Sequence, residues 1–276
     1  MLNMFSLLIL SIPVGFLGSL TGLGGASILV PLLVSFGIPV KVAIASAMVS
    51  IIATSSGSAS SYVKQGIANV KIAMYLEMFT IVGAILGATI TTIITPVYLY
   101  FFFAAFLTTS FMKLKRKGID HLPPSVVQDR ISNWLELQGS YFDEAKKQII
   151  EYRVNHALFG GIGMFVAGLA AGMLGIGAGA FKVTVQESIL KIPPKVSSST
   201  SNFIIGMTGL AGTSVYLLSS LLNITLMAPL AIGTTIGSIV GGRVLNKLGD
   251  TTLRILFFII VIFLIAQMLY KGVMSI

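Results

Sequence analysis

The stretch from Met1 to Val40 carries no charged side chain, and the stretch from Ile72 to Met112 carries only Glu77. Each exceeds the roughly 20 apolar residues that one bilayer-crossing helix needs. No soluble globule buries runs of that length. Composition agrees: 55% of the 276 residues are hydrophobic and 10% charged, where a soluble domain devotes about a quarter of its residues to charge. The 29 glycines are spread through the apolar runs, as in membrane helices whose backbones approach closely.

A formal net charge of +9 raises the question of a nucleic-acid partner. The basic residues sit in short loops between apolar segments, whereas a nucleic-acid surface needs them clustered on one folded face, so no nucleic acid is expected. The lipid bilayer is the expected partner, and the loop cations orient the chain in it. With no cysteine, disulfides, thiolate chemistry and Cys-ligated metals are excluded, and no metal cluster or cofactor is called for. The opening residues lack the basic head of a signal peptide and read as a first membrane segment.

Interruptions by Gly, Pro or Lys give apolar segments at about 4–20, 26–37, 42–63, 72–94 and 97–113, then at about 156–174, 178–190, 196–222, 226–245 and 252–270. The two sets share landmarks in the same order. Gly22-Leu23-Gly24-Gly25 answers to Gly175-Ile176-Gly177-Ala178-Gly179, and Ile38-Pro39-Val40-Lys41-Val42 to Ile192-Pro193-Pro194-Lys195-Val196. The fold expected is therefore all-α and polytopic, with a first membrane repeat at 1–113, a connecting loop at 114–155 and a second repeat at 156–276. Around Ile131 to Arg153 that loop has the spacing of an amphipathic helix. An odd number of segments per repeat makes the second repeat inverted. Placing the central loop in the cytoplasm puts every basic residue there except Lys41, Lys271 and the intramembrane Lys182, a strong positive-inside bias. Both termini then face outward. The short segments 26–37 and 178–190 either cross or re-enter beside their predecessors, leaving eight full spans in the second case, and loop sidedness is the same either way.

Each glycine cluster interrupts what would otherwise be one long helix. Broken backbone survives in a membrane only where protein or a wet cavity surrounds it, and inverted-repeat transporters put such half-helices at the substrate. Helix N-termini following Gly25 and Gly179 would present unpaired N–H groups to an anion. Gly22, Gly24, Gly25, Gly175, Gly177 and Gly179 are thus candidate substrate-binding positions, close helix packing being the plainer alternative.

These residues resemble the TauE/SafE family of sulfite and organosulfur anion exporters. The likeness rests on G-L-G-G followed by Pro31, the second G-x-G-x-G, and the stretch after each Ile-Pro, where the family shows Ala-x-Gly-Thr-Ser. Here the first copy reads Ala43-Ile44-Ala45-Ser46-Ala47 and departs from the pattern, while the second, Ser197-Ser198-Ser199-Thr200-Ser201, keeps the Thr-Ser. Val185-Gln186-Glu187 stands where a proline is expected. The resemblance implies a duplicated helical transporter exporting sulfite or sulfonates with proton coupling.

On the residues themselves, Ser46 and Ser50 in one half and Thr200, Ser201 and Asn202 in the other supply neutral donors for anion oxygens. Their alternative is bonding back to the preceding helical turn. Charges inside apolar segments are rarer and point to function. Lys182, beside the second glycine break, would pair with an anionic substrate or, alternatively, snorkel to the interface. Glu187 and Glu77 are the candidate proton carriers, with interfacial solvation the plainer account of Glu77. No nucleophile and base are placed together, so no enzyme is expected. A passive anion channel, or a scaffold whose central loop binds a partner, is the rival class. Which anion is carried, in which direction and in what oligomeric state are not written in the sequence.

Overall fold

The computed structural model describes residues 4–21, 25–115, 128–144, 146–244 and 250–274. In chain order these form α1 (Met4–Thr21), α2 (Ala26–Ser35), α3 (Val40–Lys64), α4 (Val70–Ile93), α5 (Pro96–Lys115), α6 (Arg130–Trp134), β1 (Gln138–Asp143), β2 (Gln148–Arg153), α7 (Ala157–Leu174), α8 (Gly179–Ser188), α9 (Pro194–Leu218), α10 (Ile224–Val244) and α11 (Asp250–Met274). The membrane segments read from hydropathy match these helices to within a few residues. Proline sets several starts: α3 follows Pro39, and Pro194 opens α9, where its fixed φ suits the first turn and its missing N–H is no loss.

Backbone touches backbone where α1 packs on α10 and where α7 packs on α4. A Cβ added at Gly15 would sit 2.3 Å from the carbonyl oxygen of Thr234, and one at Gly168 2.3 Å from that of Thr80. One at Gly237 would meet the Ile12 carbonyl at 1.9 Å, and one at Gly83 the Phe165 carbonyl at 2.3 Å. Only hydrogen fits at these crossings, the close approach that small residues allow between membrane helices. The packing of α10 on α3 is likewise answered by that of α4 on α9, and α2 on α3 by α8 on α9. Two groups result, α1, α2, α3 and α10 against α7, α8, α9 and α4. They meet where α3 crosses α9, with Gly206 against Ser55, Gly209 against Ile51 and Gly212 against Met48.

Among the described residues α3, α4, α7, α9 and α10 are long and apolar enough to cross a membrane. Their outward faces are greasy, with Met74, Met78 and Val82 exposed on α4 and Ile232, Ile236 and Val240 on α10. This is the architecture of a polytopic membrane protein, with lipid rather than water as the partner of those faces. The short α8 runs back along α7, Leu190 lying on Gly160 and Val185 on Gly163.

The connecting segment departs from expectation. No amphipathic helix spans Ile131 to Arg153; α6 is a single short turn of helix, and β1 and β2 pair antiparallel with Tyr141 opposite Ile150 and Gly139 opposite Tyr152. The fold is therefore mostly but not wholly helical. Tyr141 and Asp143 of β1 and Tyr152 of β2 are buried while Phe142 and Ile149 are exposed, a period of two that suits a strand. Aromatic and β-branched residues favour it, and Lys147 takes the left-handed turn conformation at φ 52°. The hairpin docks on the helix ends. The Asn69 side chain, which also caps α4, donates to the Gln138 carbonyl and the Tyr152 hydroxyl, both at 3.1 Å. Lys195 at the head of α9 reaches Asp143 at 2.7 Å, both side chains nearly inaccessible.

Candidate functional site

The second helix break is built as a left-handed turn. Gly175 ends α7 at φ 65° and Gly177 follows at φ 67°, a region open to glycine without steric cost. Ala178 shares it at φ 49°, where a Cβ is disfavoured. A side chain at Gly175 would also strike the Ile44 carbonyl, 2.7 Å from the position of its Cβ. From this turn α8 starts at Gly179 and carries Lys182 and Gln186 one turn apart, hence on one face.

Both side chains are fully buried. The Lys182 ammonium donates to the Thr208 hydroxyl oxygen at 2.8 Å. That hydroxyl's own proton goes to the Ile204 carbonyl at 2.9 Å, so its oxygen is left to accept from the lysine. Glu77, on α4, interacts electrostatically with Lys182, and one of its carboxylate oxygens is buried without a hydrogen-bond partner. Neither amide atom of Gln186 has a partner. Buried polar groups in proteins are nearly always paired, and leaving one unpaired costs about 1–3 kcal/mol. A buried cation and, one turn along the same helix, a buried amide with open hydrogen-bonding positions thus lie inside the protein, with the Glu77 carboxylate in electrostatic reach of the cation.

The structure separates the alternatives raised for the charges. Lys182 does not snorkel: its Nζ ends on Thr208 in the interior. Glu77 is 8% exposed, with one of its carboxylate oxygens fully buried. Glu187, next to Gln186, is half-buried toward the end of α8.

The hydroxyl runs are largely occupied by their own helices. Ser50 bonds back to the Ser46 carbonyl at 3.5 Å, Thr54 to Ser50 at 2.7 Å and Ser58 to Thr54 at 2.9 Å. A hydroxyl whose proton is held this way has none to offer an anion. Among the described residues Ser46 on α3 and Thr213 on α9 differ, each hydroxyl oxygen being buried without a partner. The Thr200 hydroxyl oxygen accepts from the Asn69 backbone N–H at 3.3 Å, tying the head of α4 to α9. Ser201 is buried beside it. Asn202 gives its amide hydrogens to the carbonyls of Ser19 and Ser198, both at 3.0 Å, leaving only its oxygen open. Gly22 and Gly24 lie outside the described residues, while Gly25 leads into α2 beside Thr54, whose Oγ1 is 3.4 Å from where a glycine Cβ would stand. Gln186 was missed in the sequence because an uncharged amide does not stand out in an apolar run; its place one turn from Lys182 was the available signal.

Away from these helices, Asp129 holds the connecting segment to α7. Partial burial pushes its carboxyl up, but the Ser132 hydroxyl and the backbone N–H groups of Ala157 and Ser132 outweigh that and hold it below the usual range. No three His, Asp or Glu side chains gather to hold a metal among the described residues.

Residues 7–268 match the family model described as "Sulfite exporter TauE/SafE". The chain belongs to the TauE/SafE family. Two relatives from Bacillus subtilis (strain 168) align over nearly their whole length. The probable membrane transporter protein YunE is 24% identical over 282 residues, covering 98% of each chain. The probable membrane transporter protein YdhB is 25% identical over 261 residues, covering 94% of this chain and 96% of its own. No solved structure matches this TauE/SafE chain. Family and relatives together describe membrane transporters.

Proposed function

We propose that this protein is a secondary transporter of small anions, sulfite or organosulfonates, working as a proton-coupled exporter. The observation that carries the reading is Lys182, a fully buried cation whose hydrogen bond goes to an uncharged hydroxyl and whose charge is felt by a carboxylate on another helix. An intramembrane charge is costly, from about 2.5 kcal/mol upward, and by default marks a substrate or ion path. In this mechanism the Lys182 ammonium neutralises the anion. Glu77 carries a proton, since a carboxylate that gives up its charge when the anion arrives keeps the site's total charge constant. Glu187, nearer the end of α8, would pass protons between Glu77 and the aqueous face.

The duplicated pattern of helix contacts supports two inverted repeats. Gly15 meets Thr234 as Gly168 meets Thr80, and Gly237 meets Ile12 as Gly83 meets Phe165. Together with the positive-inside bias, it supports a reading with the hairpin in the cytoplasm and both termini outside. In this reading Gly25, Gly175 and Gly177, with Ser46, Ser50, Thr200, Ser201 and Asn202, line α3 and α9 as wall rather than as principal ligands. A scaffold role draws less support, because the hairpin that would recruit a partner is committed to its own helix ends through Lys195 and Asp143.

Thermal unfolding of the purified protein with sulfite tests the site, since a ligand that binds only the folded state raises the midpoint. Wild type should shift upward with increasing sulfite and Lys182→Gln should not; equal shifts in both would remove Lys182 from the site.

A further inference from the structure

The amide of Gln186 offers two N–H donors and one acceptor, all buried and unpartnered. One turn back along α8, Lys182 is donor only, and Glu77 of α4, within its electrostatic reach, has an unpartnered carboxylate oxygen. A bare oxyanion has acceptors alone. It would satisfy Lys182 and the amide N–H groups but would face the oxygens of Gln186 and Glu77 with nothing to give them. A site built only for bare oxyanions has no use for those two acceptors. The corresponding half-helix α2 has Leu29 and Leu33 in the places of Lys182 and Gln186, both fully buried, so neither helix geometry nor packing requires an amide there.

Resting on the anion-transport reading of this same site, we propose that its ligand is a hydrogen-bearing monoanion: one that presents acceptor oxygens to Lys182 and the Gln186 N–H groups and donates an O–H or N–H to the Gln186 or Glu77 oxygen. Hydrogensulfite and hydroxy-substituted sulfonates meet that description. Sulfate, fully deprotonated and doubly charged, does not. Gln186 is in this scheme a specificity-determining residue. A site that hydrogen-bonds a substrate donor rejects the analogue lacking it, because the analogue leaves the site's polar groups unpaired.

Methanesulfonate and hydroxymethanesulfonate carry the same single charge and differ by one hydroxyl, so their affinities for the full-length protein in detergent, measured by calorimetric titration, isolate that hydroxyl. Wild type is expected to bind hydroxymethanesulfonate at least tenfold more tightly, with sulfate weakest, and Gln186→Met to compress the ratio to within threefold while still binding both. Equal binding of the two sulfonates by wild type would overturn the donor requirement and leave the anion site standing. Binding of none of these anions, sulfite included, would overturn the anion reading itself. A ratio unchanged in a folded Gln186→Met protein would take the discrimination away from Gln186.

Discussion

The two short half-helices, α2 and α8, occupy matching places in the two halves and carry different side chains. Each follows a long helix, starts after a glycine cluster and leads to an Ile-Pro turn. At its fourth and eighth positions α2 buries Leu29 and Leu33, and α8 buries Lys182 and Gln186. The first is a wedge of core; the second is a wedge of core with a polar stripe let into it. On the proposed reading, then, a broken helix is not by itself the site. The break fixes a short helix deep in the bundle, and the side chains on that helix decide whether anything binds there.

The lysines after the two Ile-Pro turns differ in the same way. Lys41 donates to the Thr92 carbonyl at 3.0 Å, while Lys195 is buried against Asp143 of the hairpin. Removing one partner of a buried ion pair leaves a charge without compensation and costs about 3–5 kcal/mol. Asp143→Asn should therefore lower unfolding stability by that much, whereas Lys41→Met, losing an ordinary hydrogen bond, should cost about 0.5–1.5 kcal/mol. Comparable losses in denaturant unfolding would mean that the hairpin lock is no special property of the second half.

The stripe itself gives a second contrast. Leu33→Ala opens a cavity in packed core and should destabilise by about 2–5 kcal/mol. Gln186→Leu removes a buried unsatisfied amide, so it should leave stability unchanged or raise it by about 1–3 kcal/mol while anion binding falls. A protein that becomes more stable as it loses function carries an unfavourable group for its activity. A Gln186→Leu variant as destabilised as Leu33→Ala would make the amide a structural element.

Where the halves are alike they should respond alike. Gly83→Ala and Gly237→Ala each force a methyl into a carbonyl across a helix crossing, and overpacking of this kind costs about 1–3 kcal/mol. Midpoints that fall by similar amounts would sharpen the comparison; a large drop in one alone would break the equivalence of the two crossings. The smallest effect belongs to pH. Asp129 is held below its unfolded value near 3.8, so the stability it adds is present above that pH and is lost as pH falls through its still lower folded value. Hydrogen exchange at α6 should rise only in that acid window, and a rise starting near neutrality would assign the anchoring to another group.

Most of this architecture was legible because a bilayer admits few solutions: uninterrupted apolar runs must be helices, and glycine clusters and Ile-Pro turns punctuate them. The connecting hairpin was not legible. Its inward face includes Asp143, whose burial makes sense only with Lys195 beside it, and such long-range pairing leaves no local pattern. Lys182 stood out as a charge in an apolar run, yet its neighbours Glu77 and Thr208 come from α4 and α9, brought together by packing. The serines and threonines could not be sorted from sequence for a physical reason: a hydroxyl in a membrane helix can satisfy itself on the preceding turn, as Thr54 and Ser58 do, while Ser46 does not.

Coupled anion transport is most directly tested by sulfite flux into proteoliposomes under an imposed pH gradient, with the purified wild-type protein and with Lys182→Gln. Sulfite should accumulate above its equilibrium distribution in wild type, the accumulation should collapse when an uncoupler dissipates the gradient, and Lys182→Gln should show neither. Sulfite that only equilibrates, at a rate indifferent to the pH gradient and to Lys182, would contradict the account and identify a passive pathway.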